Sequence, residues 1–541
     1  MKRFLPAGLN ALLVELDGLD GALALHAALE REPIAGITEI VPAARTLLLH
    51  FDPRVCDTAR LIQAIAGRDL NERVQRGGAL IEIPVRYDGE DLPEVARLLN
   101  ITPAEVIRRH TGSTYSVAFT GFAPGFAYLA GGHPSFDVPR RTSPRARIPA
   151  GSVGLAGRFS GIYPQASPGG WQLIGTTPLT LWDMGREPPA LLQPGFHVRF
   201  IDIATLPAEK CAALQQAAPA RQSAFVYPKR TGTGVTAGAA LEILAPGLQT
   251  LLQDAGRPGQ AAQGVSASGA LDQGALRAAN TLVGNPWDEA VLETVAGGLQ
   301  LRSVGATAVA VTGADAPLTL NTARGARWRV ARHQPLALND GDTLSIGPPC
   351  AGVRCYLAVR GGFAVPPVLG SRATDTLARV GPPPLAAGDL LPVRRLARGG
   401  IVQPAALPPD AALPMPQQEV VLDLMLGPRA DWFTPEAMAL LARQRWRVTP
   451  LSNRVGLRLE GAQPLARAIA GELTSEGMPH GALQVPSNGQ PVLFLADHPL
   501  TGGYPVIGCI APHHFDRAGQ IPVGAWLRFN VIRPFEPIVL S

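Results

Sequence analysis

Lysine is almost missing from this chain. Of 48 basic residues only Lys2, Lys210 and Lys229 are lysines, and the rest are arginine. Arginine forms no Schiff base and cannot carry an amide-linked biotin, so lysine-centred chemistry has three places to sit. None of the three has the methionine flanks of a biotin carrier, and none lies in the glycine/serine-rich run that a Ser–Ser–Lys amidase uses. Covalent biotin and that amidase chemistry are therefore excluded. Cysteine is scarce too: Cys56, Cys211, Cys350, Cys355 and Cys509 are scattered and odd in number, which argues for reduced thiols in a cytoplasm rather than a disulfide framework. Cys350 and Cys355 taken with His513 and His514 match no common zinc spacing. There is no GxxxxGK[ST] loop and no GxSxG elbow, which removes the ordinary P-loop and the α/β-hydrolase nucleophile.

Long apolar runs are lacking as well. Glu15, Asp17 and Asp20 interrupt any signal-peptide core behind the opening MKRF, and the uncharged run Phe159–Trp182 is broken by glycine, proline and serine. A soluble, cytoplasmic protein without a membrane partner is expected. The net charge of +5 over 541 residues is too dilute to indicate nucleic acid.

What is present is glycine and proline, 59 and 52 residues, in a chain that is 46% apolar and 17% charged. This composition predicts several compact domains of many short elements. The densest stretch, from Phe119 to Gly175, reads as short strands tied by tight turns. Its bare glycine amides and the arginines of PRRTSPRAR predict a site for an anion, with Phe122, Pro124, Gly125, Phe126, Arg140, Arg145, Arg147, Ser152 and Trp171 as binding residues. The plainer reading is that an arginine-rich chain puts arginine all over its surface.

Residues 1–80 read as a small α/β domain with helices on one face of a sheet, and 81–205 as a β-rich domain. Pro84 in IEIPVRYDG predicts an edge strand, and NITPAEVIRRH a helix capped by Thr102 with Pro103 in its first turn. A polar, basic segment at 206–237 reads as a linker between two separable halves. The rear half repeats itself: Glu293 precedes GLQL and a strand ending at Asp315, as Glu476 precedes ALQV and a strand ending at Asp497. Two β domains follow from this, 238–400 and 418–541, with a second linker at 401–417.

TGFAPGFAYL, PRR, PAGSVGLAG and GIYPQASPGGWQLIG resemble the signature of the B subunits of 5-oxoprolinase, the Kip inhibitor or allophanate hydrolase subunit 1 family. LQDAGRPG, GVSASGALDQGALRAAN, LGSRATDT, SNRVGLRLEG and SEGMPHGALQVPSNGQPVLFLADHPLTGGYPVIG resemble the C subunits of 5-oxoprolinase, the Kip activator or allophanate hydrolase subunit 2 family. The resemblance implies a fusion of the two and a mainly β fold with α+β parts, in which three cyclophilin-like β-barrels follow the α/β domain. It also implies an ATP-dependent opening of the 5-oxoproline lactam to glutamate, with ATP (and Mg) as cofactor and a separate A subunit as partner. Two other readings stay open: a carboxyltransferase using biotin on another protein, since the same domains occur in urea carboxylase in the opposite order, and a non-enzymatic regulator of a histidine kinase. Homo-oligomerisation is left open.

In the rear half, carboxylates beside turn-forming neighbours mark the candidate chemistry. Glu476, His480 and Asp497 are the expected acid–base residues. Asp254, Arg257, Ser268, Asp272, Arg372 and Tyr504 are the expected substrate or nucleotide contacts. Asp254 and Arg257 are close enough in sequence to pair with one another, and Asp272 to be a helix cap.

Overall fold

A computed structural model describes residues 2–70, 77–141, 143, 145–207, 209, 225–229, 238–395, 401–405 and 412–540. The front α/β unit is an antiparallel sheet in the order Ile37–Pro42, Thr46–Phe51, Ala11–Glu15, Lys2–Pro6, Ile538–Leu540. Its apolar strands are buried on both faces, which is why ALLV and TLLL do not alternate with polar residues. Phe4, Leu12, Val14, Leu47 and Leu49 pack under the helices Leu19–Arg31 and Thr58–Ala66. Leu5, Leu13 and Leu48 face the other way, against Ala261 and Leu500 of the rear half.

The next unit is a seven-stranded sheet running from Gln172–Thr176 to Leu80–Val85. Leu80–Val85 is an edge strand, as Pro84 predicts, and pairs in parallel with His197–Asp202. Arg86 and Thr176 exchange two backbone hydrogen bonds of 2.8 Å, which curl the sheet toward a barrel. Thr102 caps the helix Pro103–Thr111 by accepting from the Glu105 amide. His110 in its last turn is fully buried, stacked on Phe200 and bonded to Tyr87 and Ser160.

In the rear half, a six-stranded and a five-stranded sheet enclose one core beside the helix Gln273–Val283. After them Glu419–Leu426 to Trp526–Arg533 form a closed seven-stranded barrel around Trp446. The fold is mainly β with barrel and half-barrel sheets. The two stretches aligned as a repeat have different surroundings: Asp315 is exposed and paired with Arg332, whereas Asp497 is fully buried. Among the described residues no helix is long and apolar enough to cross a membrane.

The expectation of separable halves needs correcting. Strand Ile538–Leu540 completes the sheet of the front unit. Thr120 Oγ1 donates to the Ala262 carbonyl at 2.9 Å, and Gly125 N to that of Gln263 at 3.1 Å. Arg429 reaches across to Glu15 at 2.9 Å. Within the stretch expected to be a linker, Tyr227 is buried in the core of the next unit and Lys229 pairs with Asp389, so 225–229 packs with the rear half. Most of the rest of 206–237 lies outside the described residues.

Buried apolar and ionic contacts on this scale hold cleaved chains together. A protease site engineered between residues 212 and 222 should therefore yield, once cut, two fragments that co-elute on size exclusion in native buffer and part only in denaturant. Separate elution in native buffer would overturn the interlocked arrangement.

Candidate functional site

The TGFAPGF turn does something other than cradle a ligand. Phe122 and Gly125 both have positive φ, and the turn lies against residues 261–264 of the rear half. A Cβ on Gly264 would sit 2.7 Å from the Ala123 carbonyl oxygen and 3.5 Å from Pro124 Cα. Two backbones therefore meet here, and glycine allows the approach. Phe126 is buried edge-on to Trp171 and Tyr163, inside an aromatic core rather than at a surface.

Nor are the arginines of PRRTSPRAR uniformly free. Asp91, 3% exposed, accepts from Arg141 at 2.6 Å, from Arg145 at 2.9 Å and from the Leu173 amide at 2.7 Å. Arg145 also pairs with Glu90. It pins the two-stranded sheet formed by Arg145–Ile148 and Ser167–Gly169 to the main sheet and is not an open anion receptor. Arg147 is exposed and Ser152 is buried within its strand. Arg140 turns toward the rear half, donating to Ser475 Oγ at 3.2 Å.

The rear-half candidates gather around Arg454, a residue of the SNRVGLRLEG motif whose role no neighbour in sequence reveals. Arg454 is buried; its guanidinium donates to both oxygens of Asp497, at 3.0 and 3.1 Å, to Glu293, and to the Gly269 carbonyl. Asp497 also accepts from Ser268 Oγ at 2.6 Å and from the amide and hydroxyl of Thr376 at 2.8 and 2.7 Å. Burial works to raise the Asp497 carboxyl, yet Arg454 and these donors hold it below the usual range. A carboxylate so fully engaged is a structural anchor, which corrects its expected proton-handling role.

Beside it, Asp375 accepts from Ser266 Oγ and is pushed up to about 7 by burial and by Asp497. The donors of SRATDT surround Asp254, not Asp375: Ser371 Oγ and the Arg372 amide both lie at 2.6 Å from it. Asp254 and Arg257 form no hydrogen bond with each other. Arg257 is buried and donates to the Ala373 carbonyl, and Arg372 to the Val365 carbonyl. Asp272 caps the helix Gln273–Val283, as expected, and is pushed up to about 6 by burial and by Asp516. The anion at that helix start is Asp516 itself, accepting from the Gln273 and Gly274 amides. Tyr504 lies under Arg467 at 5.6 Å.

Glu476 is likewise tied up. It takes both forks of Arg429, which also binds Glu15 of the front unit. Burial pushes its carboxyl up and Arg429 opposes that. This corrects Glu476 from acid–base residue to one end of an ion-pair bridge between units. His480 stacks on Phe515 at 4.2 Å and lies 6.1 Å from His498. Burial pushes His480 down to about 3, with His498 and His50 adding to it, and His50 down to about 4. Neutral in the fold, this set is poorly suited to proton transfer near neutral pH.

The large cavity, about 990 Å³, opens where three units meet. The front unit contributes Arg45 and the start of its first helix at Gly18, which has no side-chain cap. The second unit contributes Tyr128, Arg140, Arg158, Phe159 and the edge of Trp171, and the barrel unit Glu472 to Ser475. Tyr128 OH and Arg140 both meet Ser475 Oγ, at 3.1 and 3.2 Å. Of the residues expected from sequence, this cavity brings together only Arg140 and Trp171. Ser475 stands next to Glu476 in the SEGMPHG run, whereas nothing local marks Arg45 or Gly18.

Two family models cover most of the chain: carboxyltransferase domain, subdomain C and D, over residues 2–192, and subdomain A and B over 263–531. The front half is 42% identical over 198 residues to the 5-oxoprolinase B subunit of Bacillus subtilis, spanning 82% of that protein and 33% of this chain. The rear half is 37% identical over 298 residues to the 5-oxoprolinase C subunit of Escherichia coli, spanning 90% of that protein and 53% of this chain. Urea amidolyase of Lachancea kluyveri is 32% identical over 315 residues, covering 54% of this chain but 17% of that protein. The crystal structure of TTHA0988 superposes with a TM-score of 0.80 at 35% identity, over 96% of this chain and 99% of that one. The chain thus belongs to the carboxyltransferase-domain family. Within it, the front half groups with the B subunits of 5-oxoprolinase and the rear half with the C subunits, joined in that order on one polypeptide.

Two outcomes follow from the buried charges. Arg454→Met removes the one guanidinium hydrogen-bonded to Asp497, leaves Glu293 with only Arg354 at 3.6 Å, and should cost about 3–5 kcal/mol in urea unfolding; a loss under about 1 kcal/mol would show that the node contributes little to stability. The histidines set the acid limb. Unfolded histidines, with pKa near 6.5, bind protons that folded His50 and His480 refuse, so stability falls as pH drops from about 6.5 toward 4. Asp375 acts in the opposite sense: protonated in the fold between about 4 and 7, it loses its stabilising contribution as pH rises through that window. His480→Gln should flatten the fall in urea midpoint between pH 7 and 5, and an unchanged slope would remove the histidine from it.

Proposed function

We propose that the chain is the B–C component of an ATP-dependent 5-oxoprolinase and that the three-unit cavity holds its anionic substrate. The observation that carries this is the shared wall. Arg140 and Tyr128 come from the B-like half and Ser475 from the C-like half, and they are hydrogen-bonded to each other around the opening. Neither half alone would have the site, which gives a physical reason for joining them.

The residues suit the groups involved. Arg45 and Arg140 offer charge-assisted contacts to a carboxylate or phosphate, and the helix start at Gly18, which has no side-chain cap, adds the positive end of a helix. Asp20, Asp137 and Glu472, one from each unit, also line the cavity, and each is an oxygen donor of the kind that magnesium accompanying a nucleotide takes. Trp171, Tyr128 and Phe159 give an apolar side on which a flat lactam ring can rest. ATP, when bound, would supply a phosphoryl group to the lactam oxygen, which makes the carbonyl carbon a better electrophile for water and lets the ring C–N bond break. Arg140 would orient the substrate carboxylate, and the aromatic side would keep bulk water from it. Water attack falls to a separate A subunit, in keeping with the multi-subunit naming of the relatives. The family description keeps a second reading in view, carboxyl transfer from biotin on another protein.

The test is co-purification with an A subunit and a coupled assay for glutamate and ADP with 5-oxoproline. Arg140→Ala should lower kcat/KM roughly 10- to 150-fold, the loss of one charge-assisted contact worth about 1.5–3 kcal/mol, with little change in Tm. Arg145→Ala should instead lower Tm through Asp91. Absence of glutamate, together with carboxybiotin-dependent turnover, would replace this reading by the second.

A further inference from the structure

Away from the cavity, on the outer side of the closed barrel, three metal-ligating side chains converge. Asp423 lies on the strand Glu419–Leu426, and His513 and His514 form the end of a short 3₁₀ turn, Pro512–His514. His513 Nε2 is 3.0 Å from Asp423 Oδ2, and His514 Nε2 is 3.4 Å from that same oxygen. All three ligand atoms lie within 4.8 Å of one another. We propose that Asp423, His513 and His514 form a binding site for a divalent first-row transition metal such as Zn²⁺ or Co²⁺.

The spacing is what carries this. A metal with ligand bonds of about 2.0–2.2 Å has ligand–ligand edges of about 3.0 Å in octahedral and about 3.4 Å in tetrahedral geometry. The two distances to Asp423 Oδ2 fall in the range of such edges, and the two imidazole nitrogens lie within 4.8 Å of each other. A single cation would take one lone pair from each of the three groups.

The surroundings orient the ligands. Asn530 Nδ2, on the strand paired in parallel with that of Asp423, donates to Asp423 Oδ1 at 2.7 Å, which fixes the carboxylate plane and leaves Oδ2 for the metal. The Ala511 amide donates to the Asp423 carbonyl at 2.9 Å and ties the histidine turn to the strand that carries the third ligand. The side chains of His513, Asp423 and His514 are 58%, 26% and 14% exposed, so an ion can enter from solvent and keep open positions for water or a small anion. Two imidazoles and one carboxylate select zinc, cobalt or nickel over magnesium, which prefers oxygen ligands. The site is therefore separate from any magnesium that accompanies a nucleotide. The sequence spacing hid it because the third ligand stands 90 residues before His513; Cys350 and Cys355 are not part of it.

The test uses full-length protein with no affinity tag, after treatment with chelator. Zn²⁺ titration by calorimetry should show one saturable site, and Co²⁺ should give a visible d–d absorption band that Zn²⁺ abolishes. His513→Gln and Asp423→Asn should remove both signals. Asn530→Ala, which leaves all three ligands in place, should weaken Zn²⁺ binding about 10- to 100-fold. Circular dichroism and Tm check that each variant is folded; His513 is exposed enough that its variant alone suffices if the Asp423 variant is not. No saturable Zn²⁺ binding by the wild-type protein, or equal binding by His513→Gln, would overturn the proposal. Neither result bears on the cavity, whose test reads glutamate.

Discussion

Arg454 is the constraint on which the rear half depends. One buried guanidinium compensates Glu293 from one unit and Asp497 from the next, and takes up the Gly269 carbonyl between them. Without it Asp497 would lose its hydrogen-bonded cation and Glu293 would keep only Arg354, 3.6 Å away, a costly loss in the interior. Because Asp497 in turn holds Ser268 and Thr376, the loops that flank the junction are set by the same charge. Arg429 plays the matching part toward the front, joining Glu476 to Glu15. Both are arginine, and the reason is geometric: a planar fork serves two carboxylates at once, which an ammonium on a flexible stem does less well.

Those two bridges account for how the sequence misleads. Strands, caps and the edge position of Pro84 are legible because they depend on neighbours in the chain: Thr102 with Glu105, or Asp272 with Ala275. The roles of Glu476 and Asp497 are not. Each carboxylate is decided by an arginine 43 or 47 residues away, and the sequence shows only that carboxylate and turn coincide. The glycine-rich turn at 121–126 reads as open backbone for a ligand. It is open backbone, but the backbone of residues 261–264 occupies it. Arg140 and Trp171, marked in the sequence by charge and aromatic character near glycine, line the cavity. Ser475 and Arg45 enter the same wall only through the packing of distant units.

Glycine and proline therefore serve assembly more than ligand binding in this protein. Loops that are nearly all backbone let β units of similar size press together closely. The cost is that few side chains remain to hold the contact. Charge concentrated on a few buried arginines supplies what those loops lack, which fits a composition poor in lysine and rich in arginine.

Strand Ile538–Leu540 has one more consequence. It pairs with Lys2–Pro6 so that Leu540 stands opposite Lys2, and the two ends of the described chain are neighbours on one sheet edge. A short connection there, with an opening somewhere between residues 207 and 225, would give the same packed body with the A/B part leading and the C/D part following. The order of the halves along the chain is therefore not dictated by the way they pack.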